Sequence, residues 1–378
     1  MKLRIGILGT RGIPNHYGGF EQFAEHLSKG LSEKGHEVIV YNSHNHPYQH
    51  RKWNNVEIIH CYDPERTFGT VGQFLYDFNC ILDTRKRNLD VLLMLGFTSS
   101  SAWGWLYPRK TRIVFNMDGL EWKRTKYSKI VRRFLLFAEG LAVKFGDFYI
   151  ADSPLIQSFL LEKYNISSEY IPYGAEIFLN ENHQLLEEYQ VTPFNYYLLM
   201  ARMEPENNIE TILDGFSCSN SIKKIVVIGN TTNKFGNYLL TKFRSDDRIL
   251  FIGAVYNNCQ KLHTLKTFCH LYFHGHSVGG TNPSLLEAMA SRALIAAHDN
   301  RFNKCILQNN AFYFETISDV KHIIENTYRD ETEMTMIQNN LNRIKRDFCW
   351  NKVISEYEHF LKNCVTHTVH NAISSTLL

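Results

Sequence analysis

The chain has 378 residues, more than one ordinary core needs, and length alone favours two domains. Hydrophobic residues at 44% and charged residues at 21% suit a chain that buries a core and exclude a disordered segment. A formal net charge of +3 gives no case for a nucleic-acid partner. In chain order, short apolar runs read as buried parallel strands: Leu3 to Leu8, Glu37 to Tyr41, Asp90 to Leu95, Arg112 to Asn116 and Phe148 to Ala151. Helical patterns such as Phe20 to Lys34 lie between them, and that alternation implies a doubly wound α/β sheet. The pattern then restarts with Tyr196 to Ala201, Ile225 to Ile228, Ile249 to Ile252 and Leu271 to His274. Helical stretches at Ile209 to Phe216 and Pro283 to Ser291 complete a second α/β domain.

Pro172 and Gly174 punctuate the chain at Ile171-Pro-Tyr-Gly174. The domains are therefore expected at 1–173 and 174–349, with an amphipathic helix from Trp350 to Leu361, in the segment 350–378, packing back on the first. The eight cysteines are scattered without a C-x-x-C pair, and Met1 to Gly9 is too short and too soon broken by glycine for a signal peptide. Reduced thiols and a cytoplasmic place are the expectation. No stretch reaches the roughly 18 apolar residues of a spanning helix. The longest candidate, Phe134 to Ala151, is broken by Glu139, Lys144 and Asp147.

Four segments carry chemistry. Gly9 to Glu21 is a glycine-rich turn between the first strand and the first helix, where backbone N–H groups can approach a ligand. It carries Arg11, His16 and Tyr17 beside Gly18 and Gly19, and its spacing is not the dinucleotide G-x-G-x-x-G. The alternative is a tight turn alone. Asp118, in Asn116-Met-Asp-Gly-Leu-Glu-Trp122, follows a strand and is a candidate general base or sugar-binding carboxylate; alternatively it caps the next helix. Arg202 follows the strand at Met200 and can grip a diphosphate with two prongs; alternatively it pairs at the surface with Glu204 or Glu206. The strongest segment runs from His274 to Ala290, where a glycine-rich turn leads to a helix opened by Pro283. The N–H groups of Gly280, Thr281 and Asn282 would meet a pyrophosphate at that helix start, and Glu287 could accept from ribose hydroxyls. His274 and His276 form only an H-x-H pair, a weak metal signal, and no metal is expected. A basic region, from Arg109 to Arg133, follows the aromatic run Trp103-Gly-Trp-Leu-Tyr107 and suits either an anionic membrane surface or plain solvation.

At Leu8 to Pro14, Tyr17 to Glu21, Asn116 to Trp122, Ile171 to Gly174, Ala201 to Asn208, His276 to Met289 and Trp350 to Tyr357, the chain resembles glycosyltransferase family 4. The resemblance covers nearly the whole chain and is closest to the rhamnosyltransferase branch that serves bacterial capsule and exopolysaccharide synthesis. It implies the GT-B fold, two Rossmann-like domains facing across a cleft, the first binding acceptor and the second nucleotide sugar. It implies metal-independent, cofactor-free transfer with retention, with L-rhamnose from dTDP-L-rhamnose as the donor. An acceptor on undecaprenyl diphosphate would bring the chain to the inner face of the plasma membrane. Catalytic roles fall to Asp118, Arg202 and His16, and donor contacts to Gly18, Gly19, Arg202, Asn207, His276, Gly279, Gly280, Thr281, Asn282 and Glu287.

Two positions depart from the wider family. The first glutamate of its E-x7-E motif falls on Gly279, while Glu287 matches the second; the lysine five residues after the arginine falls on Asn207. Both departures fit the rhamnosyltransferase branch. Rival readings are a transferase using UDP- or GDP-hexose, a sugar-nucleotide epimerase of the same fold and a non-catalytic carbohydrate-binding protein. An NAD-linked oxidoreductase is disfavoured, because Tyr41-Asn42-Ser43 ends the second strand without an acid.

Overall fold

The computed structural model describes residues 1–16, 18–117, 119–124, 127–179, 182–255 and 258–366. Tyr17, Asp118 and Lys126 lie outside them. Among the described residues the strands are β1 Arg4–Leu8, β2 Glu37–Ser43, β3 Lys52–Trp53, β4 Val56–Cys61, β5 Val91–Leu95, β6 Arg112–Met117, β7 Phe148–Ala151 and β8 Glu169–Tyr170 in one sheet. The other sheet has β9 Tyr196–Met200, β10 Lys224–Ile228, β11 Ile249–Gly253, β12 Leu271–His274, β13 Ile295–His298 and β14 Phe312–Phe314. The helices are α1 Gly19–Glu33, α2 Glu65–Phe68, α3 Val71–Thr84, α4 Lys129–Phe145, α5 Pro154–Tyr164, α6 Ile209–Ser217 and α7 Lys234–Lys242. They continue as α8 Cys259–Thr267, α9 Pro283–Ala290, α10 Arg301–Leu307, α11 Ile317–Asn326, α12 Glu331–Asp347 and α13 Trp350–Thr366.

The chain divides into two α/β units. One comprises Met1–Asp118, Leu135–Ile171 and Val353–Leu378; the other comprises Gly119–Phe134 and Pro172–Lys352. The first domain expected at 1–173 is thus interrupted, and 119–134 groups with the second unit. The reason is local: Gly119 approaches the backbone of Gly279 and Gly280, and the Tyr127 hydroxyl lies in the field of Arg202 and Glu206.

The first sheet has the order β3-β4-β2-β1-β5-β6-β7-β8, parallel except for β3. Its strands are continuous apolar runs because both faces are covered; Ile5, Ile7, Val40, Val91, Leu93, Val114 and Ile150 are all fully buried. Right-handed crossovers put α1 on one face and α3 and α4 on the other. The order reverses between β1 and β5, which opens a crevice at their carboxyl ends. Gly9 has φ +103 and faces the Leu95 carbonyl with no room for a Cβ, so only glycine lets the chain turn out of β1 there.

Helix α13 is shared. Ile354 packs against Gly30 of α1, the Tyr357 ring sits 5.2 Å from Phe23, and Asn116 Nδ2 donates to Tyr357 Oη at 2.9 Å. Its first residue, Trp350, instead covers Gly174 of the second unit. The second sheet is parallel throughout, in the order β11-β10-β9-β12-β13-β14. Its core includes Leu199, Phe216, Val227, Phe273 and Leu294, none more than 1% exposed.

Candidate functional site

In the second unit the strand order reverses at β9 and β12, the place where an open α/β sheet takes its ligand. The loops leaving those two strands are knitted together. Asn208 Nδ2 donates to the Gly275 carbonyl at 2.8 Å, and Ser277 Oγ donates to the Glu206 carbonyl at 2.7 Å. Gly275 lies so close to the Asn207 carbonyl that a Cβ has no space. The Asn207 amide is spent inside this frame, donating from Nδ2 to the Arg202 carbonyl at 2.7 Å. It therefore shapes the Arg202 turn, a role its identity alone does not reveal.

Arg202 is exposed, and neither of the ion pairs expected as its alternative, with Glu204 or Glu206, forms among the described residues. Its guanidinium acts on His276, as does that of Arg124. Arg124, counted above with the basic region, is thus part of this neighbourhood, held by Glu121 at 2.7 Å. Two guanidinium groups near one loop make its surroundings positive.

The loop ends at the start of α9. Asn282 caps it with its side-chain oxygen, which accepts from Ser284 N at 3.0 Å and Ser284 Oγ at 2.8 Å. That leaves the Asn282 backbone N–H, with that of Gly280, for a ligand; neither has a backbone acceptor among the described residues. Thr281 between them is buried. Gly279 has φ +140, a conformation strained for any side chain. A glutamate there would carry that strain, which gives a backbone reason for glycine at the motif's first position.

The histidines behind the loop are neutral. His274 and His276 stack with centroids 4.4 Å apart at 15°. Burial, then the Arg202 and Arg124 charges, push His276 down to about 3. His274 is fully buried and is also held well below the usual range. The His276 carbonyl is fixed by Asn300 Nδ2 at 3.0 Å and Asn303 Nδ2 at 3.1 Å. Among the described residues, no group of three or more His, Cys, Asp or Glu is arranged to hold a metal ion.

These neutral histidines set a pH dependence. Burial also pushes His46, His263 and His270 down to about 4. The unfolded chain takes up protons near pH 6.5 that the folded chain refuses, so stability is full above about pH 6.5 and drains as pH falls towards 4. Asp77 opposes this, since burial raises its carboxyl to about 7 and its protonation favours the fold. The histidines outnumber it, and Tm is expected to drop by several degrees between about pH 7.5 and pH 5. Scanning fluorimetry at the two pH values checks this, and an unchanged Tm would count against neutral buried histidines.

Glu287, on the second turn of α9, forms an ion pair with Lys266 of α8. Lys266 is only 1% exposed, and no sequence pattern singled it out. His263 lies beside the pair, with Nδ1 2.9 Å from Ser291 Oγ and its ring stacked on Phe178 at 4.6 Å. The carboxylate expected to meet ribose hydroxyls is therefore clamped and charge-balanced from behind.

The first unit holds the remaining site residues. Arg11 makes two bonds to Glu65, from Nε at 2.9 Å and Nη2 at 2.6 Å, so its charge is already spent. The loop is pinned where Ile13 N donates to Asn42 Oδ1 at 3.0 Å and Asn42 Nδ2 returns to the Ile13 carbonyl at 2.8 Å. The neutral residue ending β2 thus has a structural task. Gly18 caps α1 and Gly19 begins it. The buried Glu21 carboxylate accepts from Arg11 N at 2.9 Å and lies 3.2 Å from where a Gly18 Cβ would be. That negative charge suits a neutral hydroxyl beside Gly18 better than a phosphate. His16 packs edge-on to His46 at 4.3 Å, its Nδ1 has no hydrogen-bond partner, and burial lowers its pKa. Asp118 lies outside the described residues.

Residues 2–176, just under half of the chain, match a family model described as a domain of unknown function, DUF1972. No curated protein matches the sequence. Solved structures do. Sucrose-phosphate synthase from Thermosynechococcus elongatus is 13% identical, with TM-score 0.77 over 96% of this chain and 99% of its own. A glycosyltransferase from Rickettsia africae is 14% identical, with TM-score 0.71 over 97% and 100%. HepE from Anabaena, solved with UDP and glucose, is 14% identical, with TM-score 0.73 over 95% and 99%. The fold is GT-B. At these identities the likeness speaks for the fold.

Proposed function

We propose that this GT-B chain is a retaining glycosyltransferase moving L-rhamnose from dTDP-L-rhamnose onto a sugar carried by undecaprenyl diphosphate, in surface polysaccharide synthesis. The observation that carries the reading is the β9/β12 switch point. There the start of α9, the N–H groups of Gly280 and Asn282 and the unpaired Arg202 form one site for a doubly charged diphosphate. Glu287, fixed by Lys266, lies one turn further along the same helix to take ribose hydroxyls. A nucleotide-sugar donor agrees with the UDP and glucose held by HepE, of like fold. Rhamnose is supported by Gly279 and Asn207, which depart from the wider family as the resembled branch does.

In the proposed step the acceptor hydroxyl attacks the anomeric carbon on the side the diphosphate leaves. The new C–O bond forms as the bond to the β-phosphate breaks, and the hydroxyl proton passes to a departing phosphate oxygen. Arg202 and the α9 N–H groups stabilise the charge that develops there. His16 and Asp118 orient the acceptor hydroxyl. The reading needs no metal and no cofactor. A lipid-linked acceptor would bring the chain to the inner face of the plasma membrane.

A thermal-shift screen with dTDP-rhamnose, UDP-glucose and GDP-mannose tests the donor. The preferred donor at about a hundred times its Kd adds about 2.7 kcal/mol to stability, and dTDP-rhamnose is expected to give the largest rise in Tm. A larger rise with UDP-glucose or GDP-mannose would favour a hexosyltransferase instead. Conversion of the donor alone would indicate an epimerase. No rise with any of the three would remove the nucleotide-sugar reading.

A further inference from the structure

The first unit carries an apolar outer surface that its own core does not use. Helix α3 faces solvent with Val71 at 67% exposure, Leu75 at 43% and Leu82 at 37%. The 3-10 turn Ser100–Leu106 packs beside it, with Trp103 Nε1 donating to the Phe74 carbonyl at 2.8 Å. Of the run Trp103-Gly-Trp-Leu-Tyr107, only Trp105 points outward, at 68% exposure; Leu106 and Tyr107 are buried and Trp103 packs on Phe78. The same turn meets α4, where Gly104 lies against the Phe145 ring. On the part of α4 that belongs to this unit, Phe137 is 60% exposed. Phe137 and Lys144 fall at i and i+7, on one side of the helix.

Charge on this surface has one sign. Arg85 and Lys86 follow α3, Arg109 and Lys110 follow the turn, and Lys144 lies on α4; all five are exposed. The acids of these elements are withdrawn. Asp77 and Glu139 are buried, Glu139 pairs with Lys163 at 2.7 Å, and Asp83 pairs with Arg87 at 2.8 Å. Exposed aromatic and aliphatic side chains among uncompensated cations mark an interfacial membrane surface, since the apolar groups enter the acyl boundary while the cations meet anionic headgroups.

We infer that α3, the Trp105 turn and α4 form a docking surface for an anionic lipid bilayer. The chain lies on the membrane by this face; among the described residues no helix is long and apolar enough to cross one. The surface is argued from exposure and charge alone and is tested without sugar nucleotide, so it and the transferase reading can fail separately.

The test is flotation of the full chain with vesicles of phosphatidylcholine alone or mixed with phosphatidylglycerol. Recovery in the lipid layer is expected to be roughly tenfold greater with the anionic vesicles and to fall when salt is raised. Trp105→Ser with Phe137→Ser, and separately Arg109→Gln with Lys110→Gln and Lys144→Gln, should each lower recovery about fivefold or more, with circular dichroism unchanged. These positions are exposed, so the variants are expected to fold. No enrichment on anionic vesicles, or equal flotation of wild type and variants, would overturn the inference. So would a dimer in sedimentation that these substitutions dissolve while wild type ignores vesicles, because the face would then belong to a second copy of the chain.

Discussion

Replacing Arg202 by alanine is expected to lower kcat/KM for the sugar nucleotide roughly a hundredfold, a loss of about 2.7 kcal/mol in transition-state stabilisation. The size follows from the residue's surroundings. Arg202 is exposed, makes no ion pair among the described residues and ends a turn fixed by Asn207. Its charge is therefore available to an anionic ligand, the proposed diphosphate, unlike that of Arg11, which Glu65 neutralises. Two parallel bonds from one guanidinium to phosphate oxygens strengthen as charge builds on the leaving group. Arg202→Lys keeps the charge and loses the fork, so an intermediate activity is expected. Steady-state kinetics across the donor concentration range checks this. Full turnover by the alanine variant would end the diphosphate assignment.

Lys266→Met is expected to destabilise the fold by about 3 kcal/mol, because it removes the buried partner of the Glu287 carboxylate. Lys266 is 1% exposed, while Glu287 keeps about a quarter of its side chain in solvent, so the low end of the range applies. The double variant Lys266→Met with Glu287→Gln removes both charges and should recover most of the loss. Urea unfolding of the two variants and of Glu287→Gln alone closes the cycle. If the double variant is as unstable as the single one, the lysine serves packing and the charge clamp on Glu287 is wrong.

Much of this molecule could be read from the chain. The central strands of both sheets are runs such as Leu92, Leu93 and Met94 or Val226, Val227 and Ile228, apolar on both faces, and several end in a glycine that marks the turn. What escaped has particular causes. Strand β4 follows Asn54-Asn55 and carries Glu57 and His60 among its apolar residues, so these give no clear period. Strand β13 is Ile295-Ala-Ala-His298, too short and too poor in large apolar side chains to stand out as a strand. The apolar stretch from Phe134 to Ala151 is two elements, most of α4 and then β7, parted at Gly146-Asp147, with Asp147 tied to Ile113 N at 2.8 Å.

The second unit's glycine-rich turn and its helix start were legible because Gly, Asn and Pro there each have a local task. Lys266 and Arg124 were not, since each matters through a partner far away in sequence. Lys266 gains meaning only where α8 meets α9, and Arg124 only because 119–134 groups with the second unit. The sequence expects a ligand contact at Asn207; the structure adds that its amide Nδ2 holds the loop. No pattern of spacing distinguishes those roles; only the bonding partner does.

The proposed function places a departing diphosphate on the amino end of α9 under the Arg202 guanidinium. A crystal of the full chain soaked with dTDP tests it most directly. The phosphate oxygens should lie within hydrogen-bond distance of the N–H groups of Gly280 and Asn282 and of the Arg202 fork, with the ribose towards Glu287. Phosphates bound instead in the loop beside Gly18 and Gly19, or a ribose turned away from α9, would contradict it.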